Sequence, residues 1–305
     1  MYSLCSLYWL KKHILSFLGL SLHNSTSKVK YSLNNQKIIL IFKKTKSVAH
    51  LDTKYLDLCV NAASNPRIFE NFRNLPDYKN ILEHVDKDLA FKYYKNIKDT
   101  SSLSDKEIFR ICKKLSKVGN PELVQIINNQ DPVSTTSLRY LNVALQIKDE
   151  FEQNNFNKVI EIGPGYGGQS IILEEFFKID HYSFIDLPQV NKLIETFVNA
   201  NSVKFTHNTG VLEDNFRNEK FDLVISNYAF SELNRSLQIK AIKDIINNSK
   251  FCFMINNSQS FLNNSKYRKL KFMSQKELLK NIKNSYVKDE EPTTADNNYL
   301  ILAKH

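Results

Sequence analysis

Four of the chain's seven glycines fall within six residues, at Gly163, Gly165, Gly167 and Gly168. The run before them, Lys158-Val159-Ile160-Glu161-Ile162, is apolar and β-branched, and the stretch after them, Ser170 to Lys178, has the composition of a helix. Glycine tolerates positive φ and lets the backbone come close to another group. A strand that turns through such residues into a helix leaves the free amides of the helix N-terminus facing whatever lies beyond the strand. The motif therefore predicts an α/β fold with a ligand at the carboxyl end of its first strand, the alternative being a turn that only connects two elements.

The rest of the C-terminal half follows the same grammar. Short apolar runs at 182–185, 203–206, 221–226 and 251–255 alternate with helical patterns at 189–199 and 237–247, which predicts a parallel, doubly wound sheet. A helix at 275–284, a strand at 286–288 and the run Tyr299-Leu300-Ile301-Leu302-Ala303 end the chain. Between 51 and 150 the pattern is helical, with Pro66, Pro76, Pro121 and Pro132 as breaks and helices expected at 52–63, 78–95, 104–117 and 136–153. In the second of these, Ile81, Leu82, Val85, Leu89 and Tyr93 share one face. Three regions result: a basic segment at 1–50, a helical region at 51–150 and the glycine-containing domain at 151–305.

Charge separates the first region from the others. Eight of the 42 basic residues and none of the 32 acidic ones lie in residues 1–50, which makes that stretch +8 and leaves +2 for the remaining 255. A body so nearly neutral lacks the broad basic face that nucleic acid requires, so no nucleic-acid partner is expected. The apolar runs Leu4 to Leu10 and Ile14 to Leu22 are separated by Lys11-Lys12-His13. Neither reaches the ~20 residues needed to cross a bilayer, and the charges interrupt the apolar stretch instead of preceding it as in a signal peptide. A cytoplasmic protein is expected, with peripheral membrane contact through residues 1–50 as one reading of that segment and packing or disorder as the other. Cys5, Cys59, Cys112 and Cys252 are widely spaced, as expected of reduced thiols, and no cluster with metal-ligand spacing occurs.

The glycines alone do not choose the ligand, because Gly163, Gly165 and Gly168 also satisfy the dinucleotide pattern G-x-G-x-x-G. Glu161, two residues before the first glycine, is placed to receive a positively charged amino group. Asp186, ending the second strand, is placed to accept from ribose hydroxyls, a feature nicotinamide enzymes share. Together with the segment Phe221 to Leu233, the glycine cluster resembles class I S-adenosylmethionine-dependent methyltransferases. More narrowly, Phe156 to Leu173, Tyr182 to Pro188, Ser226 to Leu233 and Glu290-Glu291-Pro292-Thr293 resemble the sugar O-methyltransferases of bacterial surface-polysaccharide gene clusters. Gly119-Asn120-Pro121 and Ser137-Leu138-Arg139-Tyr140 extend the resemblance, which runs from about residue 60 to the end.

That resemblance implies a Rossmann-like seven-stranded methyltransferase sheet, its last strand antiparallel beside the fifth, under an N-terminal helical cap. It implies S-adenosylmethionine as cofactor, held by Glu161, Gly163, Gly165, Gly167, Asp186 and Asn227, and a small-molecule or lipid-linked sugar as acceptor, contacted by Arg139, Tyr140, Tyr228 and Ser231. Methylating a hydroxyl calls for a general base. Glu232 is the first candidate, against its reading as a helix-start carboxylate with Ser231 as cap. His207, Glu290 and Glu291 are alternatives, the last two also readable as a solvated charge pair. Arg139 can pair with a carboxylate or phosphate or be an ordinary surface arginine. Two rival functions stay open, a nicotinamide-dependent oxidoreductase or sugar-nucleotide-modifying enzyme, and a non-catalytic subunit that keeps the donor fold.

Overall fold

The computed structural model describes residues 28–33, 36–41 and 45–305, except 84, 153–154, 259–262 and 268. The chain divides into two units, residues 1–44 and 45–305. In the first, β1 (Lys28–Leu33) and β2 (Gln36–Ile41) form an antiparallel hairpin that pairs Leu33 with Gln36 and Lys28 with Ile41. The apolar residues Ile38-Ile39-Leu40-Ile41 are thus all in β2. The apolar runs at 4–22 and Cys5 lie outside the described residues.

The second unit opens with helices α1 (Thr53–Ser64), α2 (Pro66–Phe69), α3 (Pro76–Leu82), α4 (Lys87–Thr100) and α5 (Asp105–Lys113). Pro66 and Pro76 stand in the first turns of α2 and α3, where a missing N–H costs no hydrogen bond. The single helix expected at 78–95 is two helices. Asp86 accepts from the Leu89 amide at 2.8 Å as N-cap of α4, while the Thr135 hydroxyl donates to the carbonyl of buried Val85. A capping side chain and a long-range bond therefore override an unbroken helical period. A two-strand ladder, β3 (Leu123–Val124) with β4 (Val133–Ser134), leads into α6 (Thr135–Phe151).

The sheet follows: β5 (Asn155–Ile162), α7 (Gly168–Leu173), β6 (Lys178–Ile185), α8 (Pro188–Ala200), β7 (Thr206–Gly210), β8 (Phe221–Asn227), α9 (Arg235–Asp244), β9 (Ser249–Asn256), α10 (Gln275–Asn281), β10 (Ser285–Asp289) and β11 (Tyr299–Lys304). Its spatial order is β10-β11-β9-β8-β5-β6-β7. Neighbours from β7 to β9 are parallel, and β11 enters antiparallel between β9 and β10, as the resemblance implies. The α/β architecture is Rossmann-like, built on one seven-stranded, mostly parallel sheet.

Strand alternation sorts the core onto two faces. Val159, Phe184, Leu223 and Ile225 pack with the helices of 53–151 and with α8, whereas Ile160, Ile162, Val224 and Met254 pack with Leu237 and Ala241 of α9. The third strand lies at 206–210 instead of the expected 203–206. It sits at the edge of the sheet, and its polar run His207-Asn208-Thr209 is partly exposed, so no apolar signature marks it. Helix α7 ends at Leu173, short of the expected Lys178, which begins β6. Among the described residues no helix is long and apolar enough to cross a membrane. Cys59, Cys112 and Cys252 are free, buried thiols.

One buried ion pair ties the helical region to the glycine turn. Arg73 Nε lies 2.6 Å from Glu83 Oε1, both side chains nearly inaccessible, and Arg73 also donates to Ser134 Oγ at 2.8 Å and to the Leu115 carbonyl. Its guanidinium sits 4.6 Å from the ring centre of Tyr166, within the glycine cluster. Gly119, at φ +77°, is packed so tightly that a Cβ there would fall 2.5 Å from Phe72 and 2.8 Å from Arg73. That contact accounts for a glycine at position 119. Glu83→Gln leaves the guanidinium buried without its counter-charge, so urea denaturation is expected to register a loss of about 3–5 kcal/mol. A loss below about 1 kcal/mol contradicts the assignment of Glu83 as the charge that keeps Arg73 buried.

Candidate active site

The order of strands reverses its chain direction between β5 and β8, and open α/β sheets bind ligands at such points beyond the carboxyl ends. A cavity of about 680 Å³ opens there, within the range of about 300–1,000 Å³ typical of small-molecule sites. Glu161 to Gly165 enter from the end of β5, Ile185 to Leu187 from the end of β6, and Asn227 to Ala229 with Glu232 from the end of β8. Arg139 and Tyr140 of α6 close one side. Thus Glu161, Gly163, Gly165, Asp186, Asn227, Tyr228, Glu232, Arg139 and Tyr140 meet in one space, as the sequence reading requires of a shared site.

Gly163, Gly165 and Gly167 have φ of +72°, +62° and +89°, the region that side chains disfavour. Gly163 packs on the loop after β8, where its missing Cβ would lie 2.0 Å from the Cβ of Ala229. The Gly163 amide donates to the Ile185 carbonyl at 2.9 Å, and the Ser226 hydroxyl donates to the Ile162 carbonyl at 2.7 Å while accepting from the Phe230 amide. These bonds lock the three strand ends together. Gly167 does not line the cavity; it precedes α7 and packs near Val198, so it shapes the turn.

Three carboxyls on the wall ionise well above the ordinary carboxylate range. Burial pushes Glu161 up to about 7, against the hydrogen bond from Tyr182 Oη at 2.7 Å and with the Asp186 charge adding to the rise. Burial likewise lifts Asp186 to about 7, opposed by the Leu187 and Gly165 amides. Glu232 also reaches about 7 through burial, opposed by Asn257 Nδ2, which donates to Oε1 at 2.9 Å. Asn227 gives its amide N–H to Gln169 Oε1 at 3.3 Å, and its buried Oδ1 has no partner. The wall therefore offers hydrogen-bond acceptors on this side.

An acid whose folded value lies above its ordinary one loses stability as pH rises. Unfolded Glu161 ionises around 4.5 and the folded form around 7, so the loss accrues between those values and is complete above 7. Glu161→Gln is accordingly expected to stabilise the ligand-free chain at pH 8 by on the order of 1–3 kcal/mol, with the gain vanishing below pH 4.5. Thermal unfolding measured at pH 8 and again near pH 5 reads the difference. Equal stabilities of variant and wild type at pH 8 contradict the burial of an ionised carboxylate.

Several expected residues play other parts. Ser231 is fully buried off the cavity, donating to the Tyr228 carbonyl at 2.7 Å and accepting from the Asn257 amide at 3.0 Å. It does not cap the following helix, whose N-cap is Asn234, accepting from the Leu237 amide at 3.1 Å. Glu232 instead ends a 3-10 turn, Ala229–Glu232, beside the cavity. His207 packs against Phe184 and Phe205 in β7 and does not line the cavity. Glu290 is buried, accepting from Tyr228 Oη and from the Thr294 amide at 2.9 Å, while Glu291 is exposed; the pair is not solvated as one unit. Tyr228 itself is held at φ +69°, with its amide donating to the Ile255 carbonyl at 2.7 Å. A non-glycine residue kept in that region beside a cavity is the kind of strain found where geometry matters for a ligand.

A further part of the wall, Lys46 to Ala49 with Leu51, Asp52 and Tyr55, has no counterpart among the expected site residues. Backbone bonds place it: the Asn234 amide donates to the Lys46 carbonyl at 2.7 Å, the Val48 amide to the Glu232 carbonyl at 3.2 Å, and Ser47 bridges Leu233. Only Asp52, three residues before Tyr55 as N-cap of α1, carries a local signal. Asn257 has none.

No family model and no curated protein matches the chain. Solved structures align with about half of it. The N-methyltransferase NodS of Bradyrhizobium japonicum, in complex with S-adenosyl-L-homocysteine, is 11% identical, with 54% of this chain and 83% of that one covered at a TM-score of 0.43. An O-methyltransferase family protein of Burkholderia thailandensis is 11% identical over 54% of this chain and 57% of its own, at 0.40. The PH0226 protein of Pyrococcus horikoshii is 14% identical over 52% and 85%, also at 0.40. The fold stands on its own strand order.

Proposed function

We propose that the chain is an S-adenosylmethionine-dependent methyltransferase acting on a hydroxyl of a sugar or sugar-containing glycan precursor. The observation that carries the donor assignment is the gathering of Glu161, Gly163, Gly165 and Asp186 around one cavity at the switch point. The residues fit that donor. Glu161 and the unpartnered Oδ1 of Asn227 provide acceptors for its amino group, and Asp186 provides one for ribose hydroxyls. Bound there, S-adenosylmethionine supplies an electrophilic methyl group on a sulfonium.

The rest of the work falls to the chain. Tyr140, Tyr228 and Arg139 orient the acceptor, and the helical region of 51–150 caps the cavity and excludes water. Glu232, lifted to about 7 by burial, takes the proton from the attacking hydroxyl in its ionised form. The sugar assignment rests on the resemblance in Glu290-Glu291-Pro292-Thr293 and the loop after β8. Glycans from cells lacking the protein should be lighter by one methylene increment in one sugar residue when analysed by mass spectrometry. Unchanged glycan masses sink the sugar assignment and leave the donor assignment standing.

A further inference from the structure

Of the two cations on the cavity wall among the described residues, one is neutralised in place: Lys46 pairs with Glu213 at 2.7 Å. The other is Arg139. It is 5% exposed, its Nε has no partner, and its described hydrogen bond is a long one of 3.4 Å to the Leu82 carbonyl. No ion pair to it occurs among the described residues. Its guanidinium lies 5.3 Å from the ring centre of Tyr140.

The neighbouring acids are already engaged. Glu83 pairs with Arg73 and accepts from Thr136 Oγ1 at 2.8 Å. Glu290 takes Tyr228 Oη and the Thr294 amide. Arg139 is thus a buried guanidinium on the cavity wall to which neither acid is paired among the described residues. A buried guanidinium without a counter-charge is costly, and its planar donor fork matches an oxyanion. Such an arrangement is readily understood if the compensating anion arrives with a ligand.

We propose that the anion belongs to the acceptor, which carries a phosphate or carboxylate that Arg139 receives; this rests on the methyltransferase reading. The alternative source is the carboxylate of the donor's methionine part. That carboxylate shares a carbon with the amino group assigned to Glu161, so its receptor would have to sit close to Glu161. Arg139 lines the cavity together with Tyr93 of the helical region and with Tyr228, expected to contact the acceptor, on the loop that carries Glu232.

Calorimetric titration of the S-adenosylhomocysteine-saturated protein with glucose 1-phosphate, glucuronate and glucose tests this. At least one of the two anionic sugars should bind roughly tenfold or more tightly than glucose, in keeping with a charge-assisted bidentate contact. Arg139→Gln should erase that preference while S-adenosylhomocysteine affinity stays within about threefold, and Arg139→Lys should keep part of it. Equal binding of all three sugars, or a preference that survives Arg139→Gln, overturns the proposal. So does a drop of about tenfold or more in S-adenosylhomocysteine affinity in Arg139→Gln, which gives the guanidinium to the donor. Should wild type not bind S-adenosylhomocysteine, the donor assignment is what fails. The same sugar titrations on the ligand-free protein then decide the anion site by the same criteria.

Discussion

Glu232→Gln is expected to slow turnover by roughly 10²-fold or more while donor affinity changes little, the usual scale for loss of a general base. The carboxyl stands on the cavity wall at the end of the turn Ala229–Glu232, is lifted to about 7 by burial, and accepts from Asn257 Nδ2. A base acts in its ionised form. Turnover of the wild type should therefore climb as pH rises through about 7 and level off above it, and the Gln variant should lose that climb. Asn257→Ala removes the donor that favours the ionised form, so the climb should move to higher pH. Turnover of Glu232→Gln within about threefold of wild type places the base elsewhere. The nearby wall acids Asp52 and Asp86 are already engaged as helix caps, which leaves them poorly placed for the task.

Gly163→Ala is expected to abolish donor binding, and Ala229→Gly in the same chain to restore part of it. At φ +72° an alanine is strained by on the order of 1–3 kcal/mol. The larger problem is contact: the added Cβ would sit 2.0 Å from that of Ala229, a short side chain that cannot swing away. Either the glycine turn or the loop carrying Tyr228 and Glu232 must move, and both line the cavity. Removing the Ala229 methyl relieves the overlap and leaves the backbone strain. Calorimetry with S-adenosylhomocysteine checks both variants. Undiminished binding by Gly163→Ala, or no recovery in the double variant, contradicts the contact as the cause. Gly165 is a softer case, since its Cβ would meet a Leu82 methyl at 2.9 Å that can give way.

The parts of this molecule legible in its sequence are those whose signals are local. Val159 to Gly168 states its strand, turn and helix in ten consecutive residues, and Asp186 ends a strand whose apolar run marks it. The antiparallel position of Tyr299–Lys304 came from the resemblance, because nothing in an apolar run tells which strand it will pair with. The third strand escaped because an edge strand needs no apolar alternation, and the break before Lys87 escaped because Asp86 and Thr135 act against the helical period. The wall at Lys46 to Asp52 was divided by the boundary drawn at residue 50, since only its bonds to residues 232–234 reveal that it belongs to the site. Arg139 looked equally like a surface arginine. Its burial depends on helices distant in sequence.

Titration of the chain with S-adenosylhomocysteine, and separately with NADH, in an isothermal calorimeter tests the central claim most directly. One S-adenosylhomocysteine per chain should bind, with the heat lost in Gly163→Ala, and NADH should give none. Binding of NADH with no heat from S-adenosylhomocysteine would contradict the donor assignment and make the glycine turn a dinucleotide site.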